Sequence, residues 1–193
     1  MDTVARVRAA MAAHPRERFL PASERERASY DGPLDIGQGQ TNSQPRTVSA
    51  MLELLDVRAG QRVLDVGSGS GWTTALLADL VGPGGSVLGL ERVPELVATG
   101  GANLGSERMP WARVRASAPG VLGAPEEAAF DRILVSAMAT RLPEALVAQL
   151  AADGILVVPV ASRMTRVQRD DAAPGGRRVS THGTYRFVPL VTD

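Results

Sequence analysis

The 193-residue chain has no cysteine and no lysine, and only 4% of its residues are aromatic. Without cysteine there is no disulfide framework, no thiolate zinc site and no cysteine nucleophile, so a reducing cytoplasm is expected. All 21 basic residues are arginine, which excludes Schiff-base chemistry and a Walker-type phosphate lysine. They are balanced by 21 acidic residues, so there is neither the basic stripe of a nucleic-acid binder nor an acidic tail. No apolar run approaches a membrane span, and the opening "MDTVARVRAAMAAHPRERF" carries acid and arginine where a leader needs an apolar core; no membrane partner and no leader are expected. His14 and His182 are too few and too isolated for a histidine-rich metal site, so no metal is expected.

With 44% hydrophobic residues, the core must be built from Val, Leu, Ile and Ala, which suits a parallel sheet buried on both faces. The length fits one domain. Val4 to about His14 reads as a helix stopped by Pro15, and Pro45 to Leu55 as another, with Val48, Met51, Leu52 and Leu55 on one face. "QRVLDV", "GSVLGLE", "WARVRAS", "DRILVSA" and "GILVVPV" read as strands. "WTTALLADLV", "VPELVATGGANL" (weakened by its glycine pair) and "LPEALVAQLA" read as the helices between them. The alternation predicts an α/β, doubly wound, mostly parallel sheet. "MTRVQRD" and "THGTYRFVPLV" have the two-residue period of a hairpin and should form an antiparallel C-terminal edge. The expected organisation is an arm and loop over 1–44, an α/β core over 45–160 and a hairpin over 161–193, in a single domain.

"LDVGSGSGW" is the most chemical stretch. Gly67, Gly69 and Gly71 follow a strand and open a helix, so they either serve tight turning alone or line a ligand pocket with N–H groups. The spacing G-x-G-x-G differs from the G-x-G-x-x-G of a dinucleotide site. Asp65, two residues ahead, would repel phosphates and attract a cation such as the ammonium of S-adenosylmethionine. Glu91, ending the second strand, can accept hydrogen bonds from both ribose hydroxyls.

"VLDVGSGSGWTTALLADLVGPGGSVLGLE" resembles the first two nucleotide-binding motifs of class I S-adenosylmethionine-dependent methyltransferases. "YDGPLDIGQGQTNSQP" resembles the signature segment of protein-L-isoaspartate O-methyltransferases, an aromatic-acid pair followed by Leu-x-Ile-Gly-x-Gly-Gln-Thr-Ile-Ser-x-Pro. "HPRERFLP", "APEEAAFDRILVSAMATRLPEALVAQLAADGILVVPV" and "YRFVPL" extend the likeness over nearly the whole chain.

The resemblance implies a seven-stranded Rossmann-like methyltransferase sheet that takes S-adenosyl-L-methionine and releases S-adenosyl-L-homocysteine. Its substrate would be a protein or peptide bearing isoaspartyl residues, and the chain would act as a monomer. Carried over by position, Ser43 and Thr41 stand at the methyl-transfer centre, with Gln40, Asp65, Gly67, Ser68, Gly69, Gly71, Glu91 and Gly120 around the cofactor. Asn42, Ser136 and Ala137 fall on the substrate side, in the stretch "SAMATRLP" for the last two. Ser43 is also placed to cap the helix that starts near Pro45.

Three departures stand out. Pro119 falls where the family carries the Asp that accepts from the adenine amino group, Asn42 replaces an apolar residue between Thr41 and Ser43, and the N-terminal arm is short. They motivate two alternatives, a peptide-tailoring methyltransferase that modifies an ordinary aspartate in one dedicated substrate, and a catalytically silent domain that keeps the fold.

Overall fold

The computed structural model describes residues 2–191. Helix α1 (Thr3–Ala13) is capped by the Asp2 carboxylate, which accepts from the Ala5 N–H. Two short 3-10 turns lead to a small hairpin, β1 (Leu34–Gly37) and β2 (Gln40–Asn42). The polar segment read as a loop is therefore paired strand, turned at Gly37, Gln38 and Gly39 with φ of 87°, 57° and 68°. Then follow α2 (Pro45–Leu55), β3 (Arg62–Val66), α3 (Trp72–Val81), β4 (Ser86–Glu91), α4 (Pro94–Ser106), β5 (Ala112–Ala116) and β6 (Phe130–Val135). The chain closes with α5 (Glu144–Val147), β7 (Leu150–Val160), β8 (Arg163–Arg169) and β9 (Arg177–Thr184).

Seven strands form one sheet in the order β5-β4-β3-β6-β7-β8-β9. The pairs from β5 through to β7 are parallel, and β8 and β9 are added antiparallel. Strand residues alternate between two cores. Val63, Val87, Leu134 and Val157 meet α1, α2 and α3 on one face, while Leu64, Leu88, Ile133 and Leu156 face Phe130, Leu146 and Ala124 on the other. Burial on both faces is why these strands read as continuous apolar runs.

Two expectations are corrected. The helix read over "LPEALVAQLA" is a single turn. Gln149 is pulled inward, accepting from the Ala124 N–H and donating to the carbonyls of Leu122 and Ala145, and the chain then enters the sheet at Leu150. The last strand ends at Thr184, and "YRFVPL" leaves the hairpin edge to run beside Met138, where the Met138 N–H donates to Val188 O and the Leu190 N–H to Met138 O. Helix α4, read from the sequence over "VPELVATGGANL", runs on through its glycine pair. Gly100 lets it approach the turn after β3 so closely that a Cβ there would lie 2.7 Å from the Gly69 carbonyl oxygen.

Asp65 points from β3 towards α3, wholly buried, its Oδ2 accepting from Thr73 and Thr74 at 2.7 Å each. Burial pushes its carboxyl up to about 6, the threonine hydroxyls oppose that rise, and the Glu91 charge adds to it. Its Oδ1 has no hydrogen-bond partner among the described residues.

A group whose folded pKa lies above its unfolded value binds more protons in the folded state, so its share of stability is present below about 3.8 and is lost as pH rises through about 6. The gap corresponds to on the order of 3 kcal/mol. Urea unfolding of wild type and Asp65→Asn between about pH 4 and 7 should show the wild type losing that amount relative to the variant as pH rises. Equal pH slopes would sink the assignment. Gly100→Ala should cost about 1–3 kcal/mol through its clash with backbone, despite a better helix propensity. Gly101→Ala, with nothing within 4 Å of the new methyl, should gain up to about 1 kcal/mol in the same assay.

Candidate active site

The site is built where the C-terminal ends of the parallel strands open, the usual ligand position in such sheets. Leaving β3, the chain turns through Gly67, Gly69 and Gly71, with φ of 80°, 54° and 88°. These left-handed conformations are strained for any side chain, which explains the alternate glycines. Gly71 has a second reason, since a Cβ there would lie 2.8 Å from Gly100 O. The N–H groups of Gly67 and Ser68 donate to Leu90 O, holding the turn against the end of β4.

Glu91 completes that end. Its Oε2 accepts from the Gly69 N–H at 2.9 Å, and its Oε1 from the N–H groups of Arg92 and Val93 at 2.7 and 3.0 Å. Three of about four acceptor positions are thus in use, leaving about one for a ligand hydroxyl rather than the two that the sequence suggests. Ser68 lies beside it with a buried hydroxyl that has no partner among the described residues.

The hairpin β1–β2 closes the cleft from the other side, with the Ile36 side chain against the turn, 3.1 Å from where a Cβ on Gly69 would stand. Gln40 is half-buried, Thr41 exposed and Ser43 half-buried. Ser43 is not the cap of α2. Gln44 holds that position without a side-chain cap bond and Pro45 fills the first turn, so the Ser43 hydroxyl is left to the cleft. Asn42 is buried, donating from Nδ2 to Ser70 Oγ at 3.1 Å and accepting at Oδ1 from the Arg16 guanidinium.

The cleft between turn and hairpin has a volume of about 230 Å³ and opens to solvent at its mouth. Of the residues singled out from the sequence, Gln40, Thr41, Asn42, Ser43, Gly67, Ser68, Gly69, Glu91, Gly120, Ser136 and Ala137 line it. Asp65 and Gly71 do not: the first, on β3, lies behind the floor with its carboxylate against Thr73 of α3, and the second immediately precedes that helix. The expectation that Asp65 faces a bound cation is not matched by its position. The loop from Ser117 to Gly123 forms a wall in which Ser117 carries the one polar side chain, and Pro119 offers no acceptor. Sequence reasoning missed Arg92, Trp72 and the tail Val188–Val191, which also line the cleft. The tail's signal was present in "YRFVPL", but the period of a segment does not name its partner.

Among the described residues lining the cleft, only Glu91 and Arg92 have titratable side chains, and there is no histidine, cysteine or lysine. An adenosyl amino acid fits these donors and acceptors: a spare carboxylate position on Glu91, the orphaned Ser68 hydroxyl, and glycine backbone free of Cβ atoms at the turn. A pyrophosphate would meet the Glu91 carboxylate.

The profile of the family described as Protein-L-isoaspartate(D-aspartate) O-methyltransferase matches residues 2–193. Two relatives named Protein-L-isoaspartate O-methyltransferase are similar along most of their length. That of Methanopyrus kandleri is 44% identical over 192 residues, 97% of this chain and 84% of the relative, and that of Aeropyrum pernix is 42% identical over 193 residues, 99% and 74%. Among solved structures, a Plasmodium falciparum chain described as a protein-L-isoaspartate O-methyltransferase in complex with S-adenosyl-L-homocysteine superposes with a TM-score of 0.83 at 26% identity, covering 97% of this chain and 91% of that one. A profile match from end to end, on a cleft whose glycine turn, strand-end carboxylate and hydroxyl-bearing hairpin fit an adenosyl ligand, means that the chain belongs to the protein-L-isoaspartate(D-aspartate) O-methyltransferase family.

Proposed function

We propose that the protein transfers the methyl group of S-adenosyl-L-methionine to the α-carboxylate of L-isoaspartyl residues in damaged proteins or peptides. The observation that carries this reading is the cleft's lack of a base. An amine or hydroxyl acceptor must lose a proton to be methylated, whereas a carboxylate arrives ionised at neutral pH. A site whose lining includes serines, two threonines, one guanidinium and one carboxylate already held by three backbone N–H donors suits the second kind of acceptor among its described residues.

The sulfonium supplies a methyl electrophile: a carboxylate oxygen forms the new C–O bond as the S–C bond breaks, its electron pair stays on sulfur, and a methyl ester and S-adenosyl-L-homocysteine result. The chain's own part is to hold and to exclude. The hydroxyls of Thr41 and Ser43 donate to the carboxylate without protonating it, and Ser136 and Ala137 border the peptide. Glu91 takes a ribose hydroxyl on its free acceptor position, Gln40 closes over the ligand, and Ser68 and Gly120 border the adenosyl group. Positioning of this kind is worth roughly 7–11 kcal/mol when reacting atoms are held in line. In the ester the carbonyl carries methoxide, a better leaving group than the oxide of the ionised acid, so the neighbouring backbone nitrogen displaces it, methanol departs, the succinimide re-forms, and its hydrolysis returns part of the chain to normal aspartate. The same reading takes the protein as a cytoplasmic monomer without a nucleic-acid partner, supported by zero net charge and the absence of cysteine. Among the described residues no helix is long and apolar enough to cross a membrane.

Transfer of labelled methyl to peptide pairs that differ only in Asp or isoaspartyl linkage tests the reading, with base-labile label expected on many unrelated isoaspartyl members and on none of their partners. Label confined to ordinary Asp, or none at all, would overturn it. Ser43→Ala and Thr41→Ala should each lower kcat about ten- to a hundredfold, the worth of one hydrogen bond to a charged group. For the peptide, kcat/KM should stay level from about pH 7 to about pH 9, because the acceptor ionises near 3.5. A rise across that range would reveal a base that the cleft does not offer.

A further inference from the structure

Arg16 is the most deeply enclosed cation near the cleft, 5% exposed, in the 3-10 turn Arg16–Phe19. It forms no ion pair among the described residues; Asp31 and Glu24 act on it only through space. Burial pushes its guanidinium down to about 10, so it is still charged at neutral pH. Its donors go to neutral oxygens instead. Nε donates to Asn42 Oδ1 at 2.7 Å, one terminal nitrogen to Tyr30 O at 3.0 Å, and the other to Gly32 O and Asn42 O at 2.8 Å each. The guanidinium also stands 5.8 Å from the centre of the Trp72 ring, at the start of α3.

Because arginine can only donate, the Asn42 amide oxygen must face it, and the Asn42 nitrogen must face the other way. There it donates to Ser70 Oγ at 3.1 Å. Ser70, 3% exposed, stands between Gly69 and Gly71, and its carbonyl accepts from Asn103 of α4. Asn42 stands between Thr41 and Ser43. Arg16 therefore fixes both the side chain and the peptide carbonyl of the residue that separates the two hydroxyls, and Asn42 carries that constraint directly to the glycine turn.

We propose that Arg16 and Asn42 are positioning residues that lock the hydroxyl hairpin to the glycine turn, so that a ligand seated on the turn also orders Thr41 and Ser43. On this assignment Asn42 acts through its neighbours and does not read substrate. The inference rests on the glycine turn being the cofactor site. A rigid two-bond link between two binding surfaces couples them, and the coupling is reciprocal. Cofactor or its product on the turn then prepares the hairpin for the peptide.

Hydrogen exchange of the intact protein, with and without S-adenosyl-L-homocysteine, tests the link without a peptide. In wild type the ligand should slow exchange both at residues 67–71 and at residues 40–43. In Asn42→Leu the turn should keep its protection, while ligand-induced protection of the hairpin falls by about fivefold or more, the lower end of ordinary coupling between sites. Asn42→Asp should restore it, since a carboxylate still accepts from Arg16 and the Ser70 hydroxyl can donate to it. Ser70→Ala removes only the second bond, and should uncouple the hairpin in the same way if the leucine variant fails to fold.

Steady-state kinetics should show kcat falling in Asn42→Leu by a larger factor than the rise in KM for the cofactor. Equal hairpin protection in wild type and in both uncoupling variants, or none in wild type alongside a protected turn, overturns the inference and leaves the cofactor reading intact. A turn that the ligand does not protect overturns both.

Discussion

The close approach of two backbones, the turn after β3 and the middle of α4, is the constraint on which the rest of the site depends. It requires no side chain at Gly71 or at Gly100, since a Cβ on Gly71 would press into the Gly100 carbonyl and one on Gly100 into the Gly69 carbonyl. Once that contact is made, the Gly69 N–H is aimed at the Glu91 carboxylate and the tips of β3 and β4 are tied together. The cleft floor is thus main chain held by main chain. A mobile side-chain floor would have to be ordered on binding, at a cost in entropy for each rotamer fixed.

Two buried charges frame this floor, and neither is matched by an ion pair. Asp65, beneath it, is satisfied at one oxygen by two threonine hydroxyls, and Arg16, above it, by main-chain and amide oxygens. Burying an ionisable group in this way is unfavourable unless its hydrogen bonds are made. What such groups do well is fix geometry: each demands several partners at once, and the partners lie on segments far apart in sequence. Asp65 joins β3 to α3, while Arg16 joins the N-terminal segment to the hairpin. Both stand where the cleft needs a defined shape rather than additional stability.

The sequence made the local features readable and the convergent ones unreadable. Helix α2 runs from Pro45 to Leu55 as its apolar spacing and first-turn proline indicate, and the buried strands betray themselves by uninterrupted Val, Leu and Ile. The glycine turn is legible because its chemistry depends on neighbours within a few residues. The hairpin β1–β2 was read as loop because its polar composition hides the pairing, which comes from three successive left-handed residues at the tip. The fate of "LPEALVAQLA" depended on Gln149 finding partners at Leu122 and Ala124, more than twenty residues away. Arg16, Asn42 and Ser70 lie in three separate segments, and nothing in the order of the residues says that they meet.

The electrostatics of the wall agree with the chemistry proposed. Methyl transfer from a sulfonium to a carboxylate begins with two opposite charges and ends with none, so charge fades towards the transition state. Water stabilises the separated ions more than that partly neutralised state, and a cleft that excludes it favours transfer. The wall from Ser117 to Gly123 and the tail Val188–Val191 are almost wholly apolar, and Ala137 continues that surface towards the hairpin. Pro119 belongs to this pattern. An acidic residue there would add a charge to the wall, whereas Pro119, exposed like Ala118 and Gly120 beside it, leaves the wall uncharged.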